Sequence, residues 1–294
     1  MAKDLKLKSY AKLNLYLDIL GIQDGLHKLR TVMQSISLYD EITFIPIKKK
    51  DITIKSNIKQ ITTNNLIQKT YYLLIKNYPQ QITHGFDVIL KKNIPLGAGL
   101  GGGSSNAAAA FATFLNYFKI QLKLYDLNNL LLQLGSDVVF CYYGGTKLVE
   151  GVGEQLSNIN IHISKNNLQD LETNSTKFLI IYPEIHVSTK DAYSEWDEYK
   201  KINNQRNYFN DLIQNNKLYN SFEQVIFNTY PEINDLKQNL YKSGANKALM
   251  SGSGSTIFGT FTDTKLINEA FSYFKGIYPN TFIVNSMTKG FEYL

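Results

Sequence analysis

Apolar and polar residues alternate strictly through "YAKLNLYLDIL". Ala11, Leu13, Leu15, Leu17 and Ile19 fall on one face, and Lys12, Asn14, Tyr16 and Asp18 on the other. That period of two predicts a strand. A turn at "QDGLH" follows, and "LRTVMQSISLYDEITFIPI" reads as one or two more strands. "DITIKS" is a further short strand, with the lysines of "IKKKD" at a hairpin tip. From "TNNLIQKTYYLLIKNY" the period changes to that of a helix, opened by Asn/Thr caps and carrying Leu66, Ile67, Thr70, Leu73 and Leu74 at helical spacing. "FDVILKKNI" is a strand again, ended by Pro95.

The middle of the chain predicts two helices and a corner. "SNAAAAFATFLNYF" places Ala107, Phe111, Phe114, Leu115 and Phe118 along one stripe. "DLNNLLLQLG" opens with Asp126 as its expected cap and stops at Gly135. "SDVVFCYYGGTKLVEGVGEQL" gives a short helix or turn, a Gly-Gly corner and a strand. The polar, weakly patterned stretch from Ser157 to Thr176 predicts exposed loops at a domain junction. Beyond it come the strand "KFLIIYP", mixed helices, and the strands "STIFGTF" and "TFIVNSM". The expected class is α+β, in two domains covering 1–156 and 157–294.

Between "FDVILKKNI" and the alanine-rich helix, five of the seven positions 97–103 are glycine. Gly97 to Gly102 match G-x-G-x-x-G, but no second strand ending in an acid follows, as a dinucleotide fold requires. No Lys-Ser/Thr follows the glycines, which excludes a Walker A loop, and no H-R-D or D-F-G occurs, which excludes a protein kinase. The physics still favours an anion. Main-chain N–H groups of a glycine-rich turn at a helix N-terminus face the ligand with nothing in the way, and the macrodipole adds positive potential. A Gly/Ser linker is the rival, and its place between a strand and an alanine-rich helix argues against it. The stretch Pro95, Leu96, Gly97, Ala98, Gly99, Leu100, Gly101, Gly102, Gly103, Ser104 and Ser105 is therefore expected to cradle a triphosphate, with the two serine hydroxyls available to a phosphate oxygen or a metal ion.

Composition narrows the setting. The chain has 294 residues, 44% of them hydrophobic, a formal charge of +6 from mostly scattered lysines, and one cysteine. No apolar run is long enough to span a bilayer, and the N-terminus lacks a signal-peptide core. A cytoplasmic protein without an internal disulfide is expected. Cys141 reads as a small buried apolar residue, and the four histidines show no metal-ligand spacing.

Three motifs carry a family resemblance. "PLGAGLGGGSSNAAAAF" resembles the second signature of the GHMP small-molecule kinases, "SYAKLNLYLDILG" their first and "LMSGSGSTIFGTF" their third. "DGLHKLRTVMQSISLYDEI" and "LGSDVVFCYYGGTKLVEGVGE" are similar to a branch that phosphorylates a cytidylated polyol on the way to isoprenoids. The resemblance runs from Tyr10 to Phe261, and five blocks in one order are far more specific than any one. It implies a two-domain fold, the N-terminal domain related to a ribosomal-protein fold and the C-terminal domain a ferredoxin-like α/β sandwich. It also implies ATP and Mg²⁺ as cofactors, a small-molecule substrate with neither nucleic acid nor membrane as partner, and a monomer or homodimer.

The resemblance assigns roles that the residues alone leave open. Asp137 reads either as a helix N-cap or as a corner facing a cleft; the family makes it the catalytic aspartate. Lys12 alone reads as an exposed edge-strand lysine; the family pairs it with Asp137 and with the hydroxyl under attack. Asn14 shares its strand face and is expected to bind substrate. His27 reads as a turn histidine or, by resemblance, as a contact to the cytosine edge. Tyr193 is either core packing or an aromatic against the same base, and Asn65 either a helix cap or a wall of the adenosine site. "SGSGS" at 251–255 is a hairpin loop or a closure over the glycine loop. Leu26 is a departure, because the family carries a tyrosine there. Two rivals remain: a sister kinase for mevalonate, homoserine or a sugar, and a basic nucleic-acid-binding module.

Overall fold

Two long strands set the frame of the computed structural model, which describes residues 4–63, 65–159, 169–170, 175–202 and 208–294. β1 (Leu5–Gln23) and β2 (Leu26–Ile47) pair antiparallel along their whole length. Asp24 and Gly25 join them with φ of 52° and 77°, both positive as a type I′ hairpin turn requires. The first half continues through β3 (Ile52–Ser56), α1 (Leu66–Asn77), β4 (Gly85–Lys91), α2 (Gly102–Tyr117), α3 (Leu124–Leu134), α4 (Ser136–Tyr143), β5 (Thr146–Gly151) and β6 (Gln155–Asn158). The second half contributes β7 (Gln169–Asp170), β8 (Ser175–Ile181), α5 (Thr189–Ile202), α6 (Phe209–Asn215), β9 (Tyr219–Asn220), α7 (Glu223–Thr229) and α8 (Pro231–Lys242). It ends with β10 (Lys247–Met250), β11 (Ile257–Thr260), α9 (Thr264–Ile277), β12 (Thr281–Met287) and β13 (Phe291–Tyr293).

Everything docks on the β1–β2 spine. β2 shares its outer edge among β5 (residues 29–34), β12 (residues 35 and 36) and β4 (residues 41–47). Through β12 the sheet continues into β8, β11 and β10, so the two halves share one sheet in the order β10-β11-β8-β12-β2-β1-β13. The outer edge of β1 is covered piecewise by distant segments. β13 pairs with Leu7–Ser9, the Tyr10 N–H donates to the Gly290 carbonyl, the Lys12 N–H to the Leu100 carbonyl, and β9 runs parallel at Tyr16 and Leu17.

That coverage overturns one expectation. The polar face of β1 does not meet solvent: Lys12 is 4% exposed, and Asn14, Tyr16 and Asp18 are buried as well. A strand bonded on both edges and packed on both faces has no exposed lysine to offer.

Three cores surround the spine, one of them built on Ala11, Leu13, Leu15, Val32 and Ile36 of the spine itself with Phe178 and Phe258. Ile67, Tyr71 and Leu74 of α1, Phe111 and Phe114 of α2 and Phe140 of α4 pack on Phe44 of β2 and Phe86 of β4. Phe44 meets Phe114 edge-on at 5.2 Å. On the other side Leu17 and Ile19 of β1 join Trp196, Phe222, Leu236 and Phe274 of the later helices. Each fully buried aromatic of this kind contributes about 1.5–3 kcal/mol.

Three local readings need correction. Asp126 lies in the first turn of α3, whose cap position is Lys123, with no side-chain cap bond. "IKKKD" is an exposed turn but not a hairpin tip, since β3 pairs with β4 rather than β2. α2 begins within the glycines at Gly102, not at Ser105. Of the junction expected over 157–176, residues 160–168 and 171–174 lie outside the described residues.

Candidate active site

The glycine loop lies against the outer edge of β1, and the protein's own groups explain most of its composition. Gly97, Gly99 and Gly101 have φ of 63°, 75° and 67°, where a side chain is strained. A Cβ at Gly99 would lie 2.2 Å from the Ser251 carbonyl oxygen, one at Gly101 2.9 Å from Lys12 Cγ, and one at Gly102 2.8 Å from Lys92 Nζ. Gly103 differs, because its Cβ would meet only a Leu66 methyl at 3.6 Å. Sequence reasoning ascribed these glycines to the approach of an anion. At Gly99, Gly101 and Gly102 the approach is by the fold itself.

Gly101 caps α2 without any side-chain hydrogen bond, which leaves the first-turn N–H groups for a ligand. Ser104 lines the neighbouring hollow, and Ser105 Oγ is buried with no hydrogen-bond partner among the described residues.

Beside this loop a chain of polar contacts fixes one cation. Thr31 Oγ donates to the Tyr16 carbonyl at 2.6 Å and accepts from Asn14 Nδ2 at 2.9 Å. Asn14 Oδ1 in turn accepts from Lys12 Nζ at 2.7 Å. Lys12 Nζ also lies 3.3 Å from Asp137 Oδ2. Asp137 sits in the first turn of α4, where the helix favours negative charge. The capping residue is Gly135, so Asp137 is not an N-cap. Four residues on, burial pushes the Cys141 thiol up, and the charge on Asp137 adds to that, so the thiol stays protonated and inert.

Two hollows flank the start of α2. One, of about 390 Å³, is lined by Asn65, Leu66, Lys92, Leu96, Gly103 and Asn106 among others. Asn65 both caps α1 and walls this hollow. Its Oδ1 accepts from the Ile67 N–H and its Nδ2 donates to the Ile61 carbonyl, which uses one of its two amide N–H groups. Beneath the loop's entry Lys92 pairs with Asp40, whose Oδ1 also accepts from the N–H groups of Asn93 and Ile94.

The other hollow, of about 690 Å³, runs from Ser104, Ser136 and Asp137 to Leu26, His27 and Tyr193. The hairpin tip thus brings His27 and the exposed Leu26 to the rim. Tyr193 stacks on His27, with centroids 4.2 Å apart and planes 21° from parallel, and meets Phe222 edge-on behind it. Burial, with a contribution from Asp137, pushes the Tyr193 phenol up to about 12, so it stays neutral.

The 251–255 loop does reach the glycine loop. Ser251 Oγ donates to the Gly99 carbonyl at 3.0 Å and accepts from the Asn14 N–H at 3.3 Å. Asn220 Nδ2 holds this segment by donating to the carbonyls of Met250 and Gly252.

Sequence reasoning missed several members of the site. Asp197 binds His27, the Tyr182 hydroxyl donates to the Leu96 carbonyl, and Asp40 anchors Lys92. Only Asp197 had a legible signal, the four-residue spacing Thr189, Tyr193, Asp197 that aligns one face of α5. Among the described residues no group of three or more His, Cys, Asp or Glu side chains could hold a metal ion, and no helix is long and apolar enough to cross a membrane.

Comparison with known proteins bears on this geometry. Residues 65–145 match the GHMP kinases N terminal domain and residues 200–280 the GHMP kinases C terminal. The 4-diphosphocytidyl-2-C-methyl-D-erythritol kinase of Caldanaerobacter subterraneus is 36% identical over 301 residues, covering 99% of each chain. That of Lachnoclostridium phytofermentans is 39% identical over 281 residues, covering 92% of each. Among solved structures, a 4-(cytidine 5'-diphospho)-2C-methyl-D-erythritol kinase superposes with a TM-score of 0.77 at 24% identity, covering 96% of this chain and 98% of that one. Homoserine kinase from Cytophaga hutchinsonii follows the same fold with a TM-score of 0.69 at 18% identity, covering 100% and 98%.

Proposed function

The chain belongs to the GHMP kinases, and on that footing we propose that it transfers the γ-phosphoryl group of ATP to the 2-hydroxyl of 4-diphosphocytidyl-2-C-methyl-D-erythritol, a step of isoprenoid biosynthesis. The observation that carries this reading is the Lys12–Asp137 contact at 3.3 Å, set between the glycine loop and a hollow whose far end is His27 and Tyr193. A small-molecule kinase needs a phosphate cradle, a group to take the hydroxyl proton and a pocket for the rest of its substrate, and these three adjoin here.

In this reading the segment Pro95–Ser105 binds the triphosphate through its main-chain N–H groups, with the nucleoside in the hollow walled by Asn65 and Lys92. Asn65 walls that hollow while capping α1, and its amide has a second N–H that the cap bonds do not use. Asp137 orients the substrate hydroxyl. As the hydroxyl oxygen bonds to the γ-phosphorus, the bond from that phosphorus to the β-bridging oxygen breaks, and the proton passes to Asp137. Proton transfer comes late, because a carboxylate is a weak base toward an alcohol. Lys12, held by Asn14, offsets the negative charge that develops on the transferred group.

Mg²⁺, when bound with ATP, neutralises charge between the β and γ phosphates. The donor set fits an ion that keeps most of its waters and takes one or two protein oxygens. Asp137 and the unpartnered Ser105 hydroxyl are the groups that would hold it. Leu26, His27 and Tyr193 form the cytidine end. We assign residues 1–156 and 157–294 to the two domains, a division supported by the family matches lying on either side of it.

The test is direct. The purified chain is incubated with ATP and the cytidylated substrate, mevalonate or homoserine, and products are followed by phosphorus NMR. Turnover of the cytidylated substrate alone is expected. Turnover of homoserine or mevalonate in its place overturns the assignment.

A further inference from the structure

We propose that Asp197 is a specificity-determining residue, which fixes His27 as the neutral Nε2–H tautomer so that Nδ1 presents a hydrogen-bond acceptor to the amino group of cytosine. This deepens the assignment of the cytidine end and rests on it. His27 Nε2 lies 2.9 Å from Asp197 Oδ1. An ionised carboxylate can only accept, so Nε2 must carry the hydrogen. Neutral imidazole has one N–H, and placing it at Nε2 leaves a lone pair at Nδ1. No other hydrogen bond engages the ring among the described residues, so Nδ1 is the nitrogen left for a ligand in the hollow that His27 lines.

The surroundings hold this arrangement in place. Thr189, Tyr193 and Asp197 follow one another at four-residue spacing on α5, so one helix face meets the hairpin tip. Tyr193 fixes the plane of the imidazole by stacking, and Asp197 fixes its rotation and its tautomer. An aromatic-walled slot suits a flat base, and the polarity of the remaining nitrogen then decides which one. Cytosine offers an N–H₂ donor at position 4 where uracil offers a carbonyl acceptor. Nδ1 as acceptor pairs with the first and opposes the second, and a site built for a hydrogen bond rejects the ligand that leaves it unmade.

Two measurements on the full-length protein test this. Long-range ¹H–¹⁵N correlation of the His27 ring, recorded without substrate at neutral pH, should show Nε2 protonated and Nδ1 bare in the wild type, and a mixed tautomer in Asp197→Ala. In kinetics, Asp197→Ala should lower the preference for the cytidylated over the uridylated substrate about tenfold, the scale of one hydrogen bond. The change should lie mainly in KM for that substrate, with KM for ATP unaltered. Asp197→Asn should restore most of the preference, since its amide oxygen accepts the same proton. A wild-type ring carrying its hydrogen on Nδ1, or on both nitrogens, overturns the proposal. So does an unchanged preference in Asp197→Ala. Failure of the wider assignment would look different: the wild type would not turn over the cytidylated substrate, whatever the ring nitrogens report.

Discussion

Two side-chain pairs brace opposite ends of the candidate site, and they differ in kind. Lys92 and Asp40 lie beneath the entry to the glycine loop with side chains 2% and 0% exposed. His27 and Asp197 sit at the rim with 18% and 36% exposed. Asp40 also accepts from two backbone N–H groups, and removing either partner leaves a buried charge unpaired. The rim pair is partly exposed to water, which screens it, so its loss should cost little stability. The end proposed for the phosphates is therefore locked into the fold, while the end proposed for the base is held by more exposed contacts. That division suits a fold shared by kinases of different substrates, such as the homoserine kinase that superposes on this chain.

The widest gap is expected in stability. Asp40→Ala strands a buried ammonium and should cost about 3–5 kcal/mol in urea unfolding, whereas Asp197→Ala should cost less than about 1 kcal/mol. Equal costs would erase the contrast. Next comes chemistry between the two pairs: Asp137→Ala should lower kcat at least ~10²-fold while calorimetry shows ATP still bound. Near-normal turnover would remove Asp137 from the mechanism.

A smaller effect is expected at Gly103, where the glycine loop has room for a side chain. Gly103→Val should fold, since its Cβ has room, yet weaken ATP binding about tenfold by filling the nucleoside hollow. Gly99→Val should fail to fold, because its Cβ would overlap the Ser251 carbonyl. Unchanged ATP affinity in folded Gly103→Val would move the nucleotide elsewhere.

The smallest effect belongs to the rim. Leu26 is 58% exposed at the mouth of the hollow. Leu26→Tyr adds a stacking face and should tighten the cytidylated substrate a few-fold, about 0.5–1 kcal/mol, as read from its KM. Marked weakening would show that the base does not lie against Leu26.

What could be read from the sequence follows the range of the interactions. The period-two pattern of β1, the Asp-Gly turn and the Gly135 stop are local and appear as expected. The burial of Lys12 was not legible, because it depends on Leu100, Ser251 and residues 290–293 covering one strand edge. Asp126 looked like a cap because caps are chosen among several nearby polar residues. The Lys12–Asp137 contact joins positions 125 apart in the chain, and only the family resemblance pointed to it. Asp197 lies 170 residues from His27, and the helical spacing that aligns it with Tyr193 does not identify His27 as its partner.

The patchwork cover of β1 also bears on how the protein is made. As the chain leaves the ribosome, β1 and β2 are available to pair early, but the other edge of β1 must wait. Its partners arrive in turn, Leu100 first, then Tyr219 and Asn220, then Ser251, and finally Gly290 and the strand at 291–293. Until then a long apolar strand presents unpaired N–H and C=O groups, the kind of edge that recruits other chains. Folding intermediates of this protein are therefore expected to expose that edge for most of synthesis, and a chaperone that shields strand edges should raise its yield.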